Sequence, residues 1–215
     1  MEENLLPLFP LEVVLLPEEP LPLHIFEDRY KTMIGECLQA KAEGKGQQEF
    51  GVVMLNGQAV SPVGCTAHIV NVTRQYDDGR MDILTLGKHR FEILLVNEES
   101  PYLRGAVDYF EDEGPDTPND ETANLAIERF GEAIRKLRHA AKMPIHVPRP
   151  YRYLSFRIAA ALPLDLTFKQ QLLTLRNEPE RLTLVLSALE ILLNQLDQVQ
   201  ASQRKAGGNG RARPG

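Results

Sequence analysis

Residues 66–96 read TAHIVNVTRQY at 66–76, DDG at 77–79 and RMDILTLGKHRFEILLV at 80–96. Two runs rich in β-branched and aliphatic residues flank a short break containing Gly79, and glycine supplies the positive φ that a tight hairpin turn needs. Phe91, Ile93 and Leu95 alternate with Arg90, Glu92 and Leu94, the period of a half-buried strand. Gly87 interrupts the second run, where glycine marks a bulge or a corner kink. The stretch therefore predicts a long hairpin that bends.

Working outward, shorter strands are predicted at 5–9, 13–16, 50–55 and 102–110. Between them, Tyr30, Met33, Ile34, Cys37 and Leu38 recur at spacings of three and four within Glu27–Ala42, which predicts one helix. Several short strands around a single inserted helix point to a small curled β-barrel rather than a βαβ fold. After Gly114-Pro115 the period changes. Thr117-Pro118 sets an N-cap and a first-turn proline, and Ala123, Ile127, Phe130, Ile134, Leu137 and Ala141 share a helical face. Tyr151–Leu162 reads as a second helix, and Asp165 caps a third carrying Phe168, Leu172 and Leu173. Pro179 opens a fourth, through Leu182, Val185, Leu186, Leu189, Leu193, Leu196 and Val199. The expected fold class is α+β, with a barrel over 1–116, a helical bundle over 117–203 and a tail over 204–215. That tail holds four Lys/Arg and four glycines with almost nothing apolar, so it is expected to be disordered.

Composition bounds the function. The 215 residues are 43% hydrophobic and 25% charged, an ordinary globular mix that excludes collagen-like, wholly disordered and disulfide-scaffold classes. Two cysteines without a CxxC exclude a four-cysteine zinc site and suit a reducing compartment. The start is acidic and is broken by Pro7, Pro10 and Pro17, unlike a signal peptide, and no apolar run of about 18 residues stands out, so a soluble cytoplasmic protein is expected. Charge divides unevenly: residues 1–116 carry −12, 117–203 carry +2 and 204–215 carry +4.

Reactive motifs are missing. Glu43-Gly44-Lys45-Gly46 lacks the upstream glycine and the Ser/Thr of a P-loop, and no GxSxG occurs. His24, His68, His89, His139 and His146 form no HExxH, although His68 and His89 fall on predicted strands that could face each other. The acidic pairs Glu18-Glu19 and Asp77-Asp78 sit in turns, where solvation accounts for them. No catalytic residue, cofactor or metal is expected.

Residues 5–30, LLPLFPLEVVLLPEEPLPLHIFEDRY, closely resemble the opening of the Lon substrate-binding domain, the N-terminal domain of Lon proteases. The resemblance is carried by Leu6 to Leu11, Val13 to Pro17 and Leu21 to Tyr30, then by Phe50-Gly51-Val52-Val53, Val63-Gly64-Cys65-Thr66-Ala67, Gly87-Lys88-His89-Arg90-Phe91, Lys169-Gln170-Gln171-Leu172-Leu173 and Glu180-Arg181-Leu182. It covers about 200 residues in order. One departure is local: Glu18-Glu19 stands where the family often has glycine, so the turn is expected to differ. A second concerns extent: the full-length proteases continue into an ATPase and a Ser-Lys peptidase, whereas this sequence ends in the basic tail, which implies a stand-alone, non-catalytic domain. The resemblance implies a PUA-like barrel followed by helices, and binding of protein substrates without proteolysis; the expected partners are unfolded or partly unfolded protein segments, or a partner protease or chaperone.

Candidate peptide contacts are Phe9, Leu16, Phe26 and Tyr30, beside a proline-punctuated edge from Leu5 to Pro22. The plain alternative for each is barrel core. Glu27 and Arg29 read as a helix start and a domain-fixing ion pair. A rival ligand is RNA or DNA, because Arg135, Arg138, Arg149, Arg152 and Arg157 lie in an acid-free stretch with Tyr151, Tyr153 and Phe156 interleaved. The acidic barrel argues against a polyanion, and the same cations could dock the helical half or be simply solvated. The other rival is a small-molecule pocket near His24, Arg29 and Tyr30.

Overall fold

A computed structural model describes residues 5–208 apart from 45, 47, 58, 116, 139–146 and 148, with the side chains of 138 and 204–208 also outside the description. Its elements are β1 (Leu6–Leu11), β2 (Pro20–Ile25), α1 (Asp28–Glu43), β3 (Glu49–Asn56), β4 (Ala59–Gln75), β5 (Met81–Asn97), β6 (Arg104–Phe110), α2 (Asp120–Arg138), α3 (Leu154–Ala160), α4 (Leu166–Thr174) and α5 (Glu178–Gly208). The chain divides into two compact units, one of residues 1–113 with 159–176, the other of 114–158 with 177–215.

In the first unit six strands form one sheet in the order β2-β5-β4-β3-β1-β6, and β6 pairs with β5 as well, so the pairings from β5 through β4, β3, β1 and β6 return to β5. All are antiparallel except β1 with β3. The hairpin expected over 66–96 is β4–β5, longer at its N-terminal end than periodicity indicated, because β4 begins at Ala59. Phe91 anchors the interior with Leu6, Leu8 and Val53. Its ring occupies the space where side chains on Gly51 and Gly64 would sit, at 2.5 and 2.6 Å from their would-be Cβ atoms.

The expected strand at 13–16 does not form. Residues 12–19 make a loop with Val14, Leu15 and Leu16 buried, and the strand lies at Pro20–Ile25 instead. The loop satisfies its backbone elsewhere: Leu16 N–H donates to Glu19 Oε2 at 2.9 Å, Glu18 N–H to Gly87 O at 2.9 Å, and Gly87 N–H to Glu19 O at 2.9 Å. Gly87 is required by this approach, since a Cβ there would lie 2.1 Å from Leu16 O. The neighbouring register shift, where Ala67 faces Gly87 but Cys65 faces Arg90, is the bulge expected at that glycine. Glu18, in the turn where the family favours glycine, adopts φ 64°, the left-handed region.

The helical domain expected over 117–203 is divided, because α4 groups with the strands. Polar side chains tie it there. Gln170 Nε2 donates to Val63 O at 2.9 Å, Lys169 Nζ donates to Glu19 Oε1 at 2.9 Å, and the buried Arg90 donates to Leu173 O at 3.3 Å and to Asp112 Oδ1 at 2.6 Å. Arg90 thus caps carbonyls at the helix C-terminus with a cation, the favourable sign for a helix dipole.

In the second unit α2 packs on α5. Leu182, Val185, Leu189 and Leu193 of α5 and Ala123, Ala126, Phe130 and Ala133 of α2 are buried, and Lys136 Nζ donates to Asp197 Oδ1 at 2.6 Å. Glu178 and Arg181, both fully buried, pair at 2.7 Å at the start of α5. Ser155 of α3 donates to the same carboxylate through its N–H at 2.9 Å and its hydroxyl at 2.7 Å. By length and composition alone Glu178–Gln203 could cross a membrane, which the sequence reading did not anticipate. Leu182, Val185, Leu189 and Leu193 give it one buried face, the stripe of an amphipathic helix packed on α2, while Ile191 and Val199 are exposed on it. The backbone of α5 runs to Gly208, so the first residues of the tail expected to be disordered continue the helix, and 209–215 lie outside the described residues.

Candidate functional site

The four candidate peptide contacts separate sharply. Leu16 is 0% exposed, and Phe9 and Tyr30 are buried with their rings stacked at 4.0 Å, so all three serve the core. Phe26 alone is at the surface, 59% exposed, in the short link between β2 and α1. Glu27 and Arg29 pair locally, Arg29 Nη2 lying 2.7 Å from Glu27 Oε2 on the exposed helix start, rather than fixing one domain to another.

Around Phe26 the antiparallel register builds a small aromatic and polar surface. His24 lies opposite Asp82 on β5, and Asp82 opposite Arg74 on β4. The His24 ring stacks beside Phe26 with centroids 6.0 Å apart and meets Tyr76 edge-on at 5.9 Å. Asp82 holds the group together, with His24 Nδ1 at 2.5 Å from one oxygen and the Tyr76 hydroxyl donating to the other at 2.9 Å. These hydrogen bonds, His24 first, keep the Asp82 carboxyl below the usual carboxylate range. Arg74 and Arg80 lie 4.5 and 5.0 Å from the Tyr76 ring centre. Beside this cluster a shallow hollow of about 360 Å³ is lined by Pro22, Leu23, His24, Thr73, Asp82, Ile83 and Leu84.

This surface suits binding better than chemistry. Asp82 is engaged by two donors, and Thr73 donates its hydroxyl to the Asp82 carbonyl at 3.1 Å. Burial raises both thiols, Cys37 to about 12 and Cys65 further, so neither is a ready nucleophile. Among the described residues no three His, Cys, Asp or Glu side chains are placed to share a metal ion. His68 and His89 have separate partners, His68 with Glu49 at 3.3 Å and His89 near Glu111 at 3.9 Å.

The basic stretch is partly open, with Arg149 and Arg152 exposed. Arg149 pairs with Asp120 at 3.0 Å, Arg152 lies 5.9 Å from the Tyr153 ring centre, and Arg135 and Arg157 are half-buried. The Arg138 side chain, like residues 139–146 with His139, Lys142 and His146, lies outside the described residues. Phe156 is fully buried beneath Arg181 and offers no face for a base.

A family model described as the ATP-dependent protease La (LON) substrate-binding domain matches residues 5–190. The chain belongs to this family. The Lon protease of Flavobacterium johnsoniae is 26% identical over 216 aligned positions, covering 93% of this chain and 26% of that protein. The Lon protease of Parabacteroides distasonis is 29% identical over 192, covering 82% and 22%. The chain thus spans about a quarter of the length of these curated Lon relatives. A Lon N-terminal domain protein from Xanthomonas campestris has the same fold, with a TM-score of 0.65, 26% identity and coverage of 85% of this chain and 97% of that one. The N-terminal domain of the Mycobacterium avium complex Lon protease superposes with a TM-score of 0.62 at 17% identity, a likeness of fold alone, over 86% and 98%.

The sequence reading missed the His24–Asp82–Tyr76 cluster. Its members are up to 58 positions apart, and the strand that carries His24 is disguised by Pro20 and Pro22.

Proposed function

We propose that this Lon substrate-binding domain recognises unfolded protein segments at Phe26 and the adjoining hollow, without acting on them chemically, in the cytoplasm and in support of a protease or chaperone. Its closed circuit of strand pairings is read as a PUA-like barrel that presents this surface. One observation carries the reading: Phe26, 59% exposed, stacks beside His24, and His24 in turn lines a shallow hollow with Pro22, Leu23, Ile83 and Leu84. A large aromatic left in water beside a concavity is the usual form of an anchor site.

Side chains do most of the recognition here. β2 has Pro20 and Pro22 among its six residues, and a proline has no N–H to offer an added strand. Covering the exposed part of Phe26 contributes about 1–2 kcal/mol, close to a tenfold change in affinity. Reduced, carboxymethylated α-lactalbumin, a permanently unfolded probe, is expected to bind the wild-type protein and to bind Phe26→Ala about tenfold more weakly, while native α-lactalbumin binds neither. Equal affinity of wild type and Phe26→Ala for the unfolded probe refutes the assignment of Phe26, and no binding of the probe at all refutes the function.

A further inference from the structure

The sheet has a second edge, and it lacks prolines. β5 pairs with β4 through Glu92 and with β6 from Arg90 to Asn97, so Ile93–Asn97 has a ladder to β6 but none to β4. This stretch reads Ile93-Leu94-Leu95-Val96-Asn97, with Leu94 68% and Leu95 63% exposed. The register shift between Ile93 and Leu95 puts an extra residue there, which is why two consecutive leucines both reach solvent. It also confines the regular edge to Leu95–Asn97, enough for a short added strand.

Acids bracket the run. At one end Glu92 faces Asp108 across the β5–β6 ladder, and at the other Glu98 and Glu99 follow directly. Glu98 and Asp108 pair with no described cation, and Arg176 lies 3.6 Å from Glu92. We propose that the β5 edge at Leu95–Asn97 accepts, as an added antiparallel strand, a short extended protein segment with apolar residues between two cations. Glu92 to Glu98 is six positions with one bulged residue among them, roughly 17–20 Å of strand, which sets the spacing of the cations at about five to six residues. Charge argues against a second copy of this chain as occupant. Antiparallel self-pairing centred on Leu95 places Glu92 of each copy opposite Glu98 of the other, and like charges directly opposite are destabilising. Main-chain hydrogen bonds give such a complex its affinity, and the acids give it its preference. This site is additional to Phe26 and shares with it the reading that the domain binds protein segments.

The probe is a labelled peptide, Lys-Thr-Val-Tyr-Val-Thr-Lys, titrated into the 215-residue protein while backbone amides are followed by NMR. Shifts and slowed amide exchange at 93–97, binding at least tenfold weaker for Leu95→Lys and for a Glu-flanked peptide, and unchanged binding by Phe26→Ala are expected. Leu95 is largely in water, so Leu95→Lys should fold, and its amide spectrum away from β5 verifies this. Wild-type affinity for Leu95→Lys, or shifts confined to residues around His24 and Phe26, overturns the edge site and leaves the Phe26 reading standing. Failure of the peptide to bind while unfolded α-lactalbumin still binds also overturns the edge site alone. Protection of 93–97 that grows with protein concentration in the absence of peptide overturns it in favour of a second copy.

Discussion

Replacing Arg181 by methionine removes the cation from a fully buried cluster. Arg181 Nη2 donates to Glu178 Oε2 at 2.7 Å, its Nε donates to Ser155 Oγ at 3.1 Å, and its guanidinium lies 4.2 Å from the centre of the Phe156 ring. In the native protein burial holds the Glu178 carboxyl above the usual carboxylate range, even though the Ser155 donors and Arg181 act to lower it. Without Arg181 the carboxylate keeps only the serine donors, and an uncompensated buried charge of this kind costs about 3–5 kcal/mol at pH 7. For a chain of this size that corresponds to a fall of roughly 6–20 °C in Tm. The pH dependence has a definite sign. A carboxyl whose folded pKa is raised has its full stability below the unfolded value, about 4.3, and loses it as pH rises through the folded value. The deficit of Arg181→Met relative to wild type should therefore shrink to about 1–2 kcal/mol at pH 4, where the lost packing, the Phe156 ring contact and the hydrogen bond to Ser155 remain. Glu178→Gln combined with Arg181→Met keeps acceptor and donor for Ser155 without a charge, and should recover part of the loss at pH 7. Urea unfolding at pH 4 and pH 7 measures wild type and the two variants. An Arg181→Met protein within about 1 kcal/mol of wild type at pH 7, or one whose deficit is the same at both pH values, refutes an ionic role for the cluster.

Three further outcomes are expected. Gly87→Ala sets a Cβ against Leu16 O, in a loop tied to the same residue by two backbone hydrogen bonds, and should destabilise by about 2 kcal/mol or more in urea unfolding; a neutral effect would mean that the loop gives way. Glu18→Gly relieves a left-handed backbone at φ 64° and should leave stability unchanged or raise it by up to about 1 kcal/mol, since a freer unfolded chain offsets part of the gain; a clear loss would contradict the strain. Cys37 and Cys65 are buried with raised thiol pKa values, so at pH 8 an aromatic disulfide reagent should find almost no reactive thiol in the native protein and two per chain in urea; rapid native labelling would contradict their burial.

Much of the fold could be read from the sequence because its main signals are local. The β4–β5 hairpin follows from alternation and a glycine turn, the bulge lies beside Gly87, and Asp165 caps α4 by accepting from Phe168 N–H at 2.8 Å. What escaped is held by tertiary contacts. The apolar run at 13–16 has strand composition but becomes a buried loop, because Glu19 and Gly87 satisfy its backbone. β2 looks unlike a strand since prolines are tolerated only at an edge. α4 reads as one more bundle helix, yet Arg90, Val63 and Glu19 hold it to the strands. Three of the four candidate contacts are core, for a physical reason: Phe9, Leu16, Phe26 and Tyr30 all read as large core-type side chains in sequence, and only packing distinguishes the one left in water.

The most direct test of recognition at Phe26 is photochemical. With p-benzoylphenylalanine at position 26, illumination in the presence of unfolded α-lactalbumin should give a covalent adduct, far in excess of that formed when the same group replaces Ile191, which is equally exposed on α5 in the other unit. Equal yields at the two positions, or none at position 26, would contradict it.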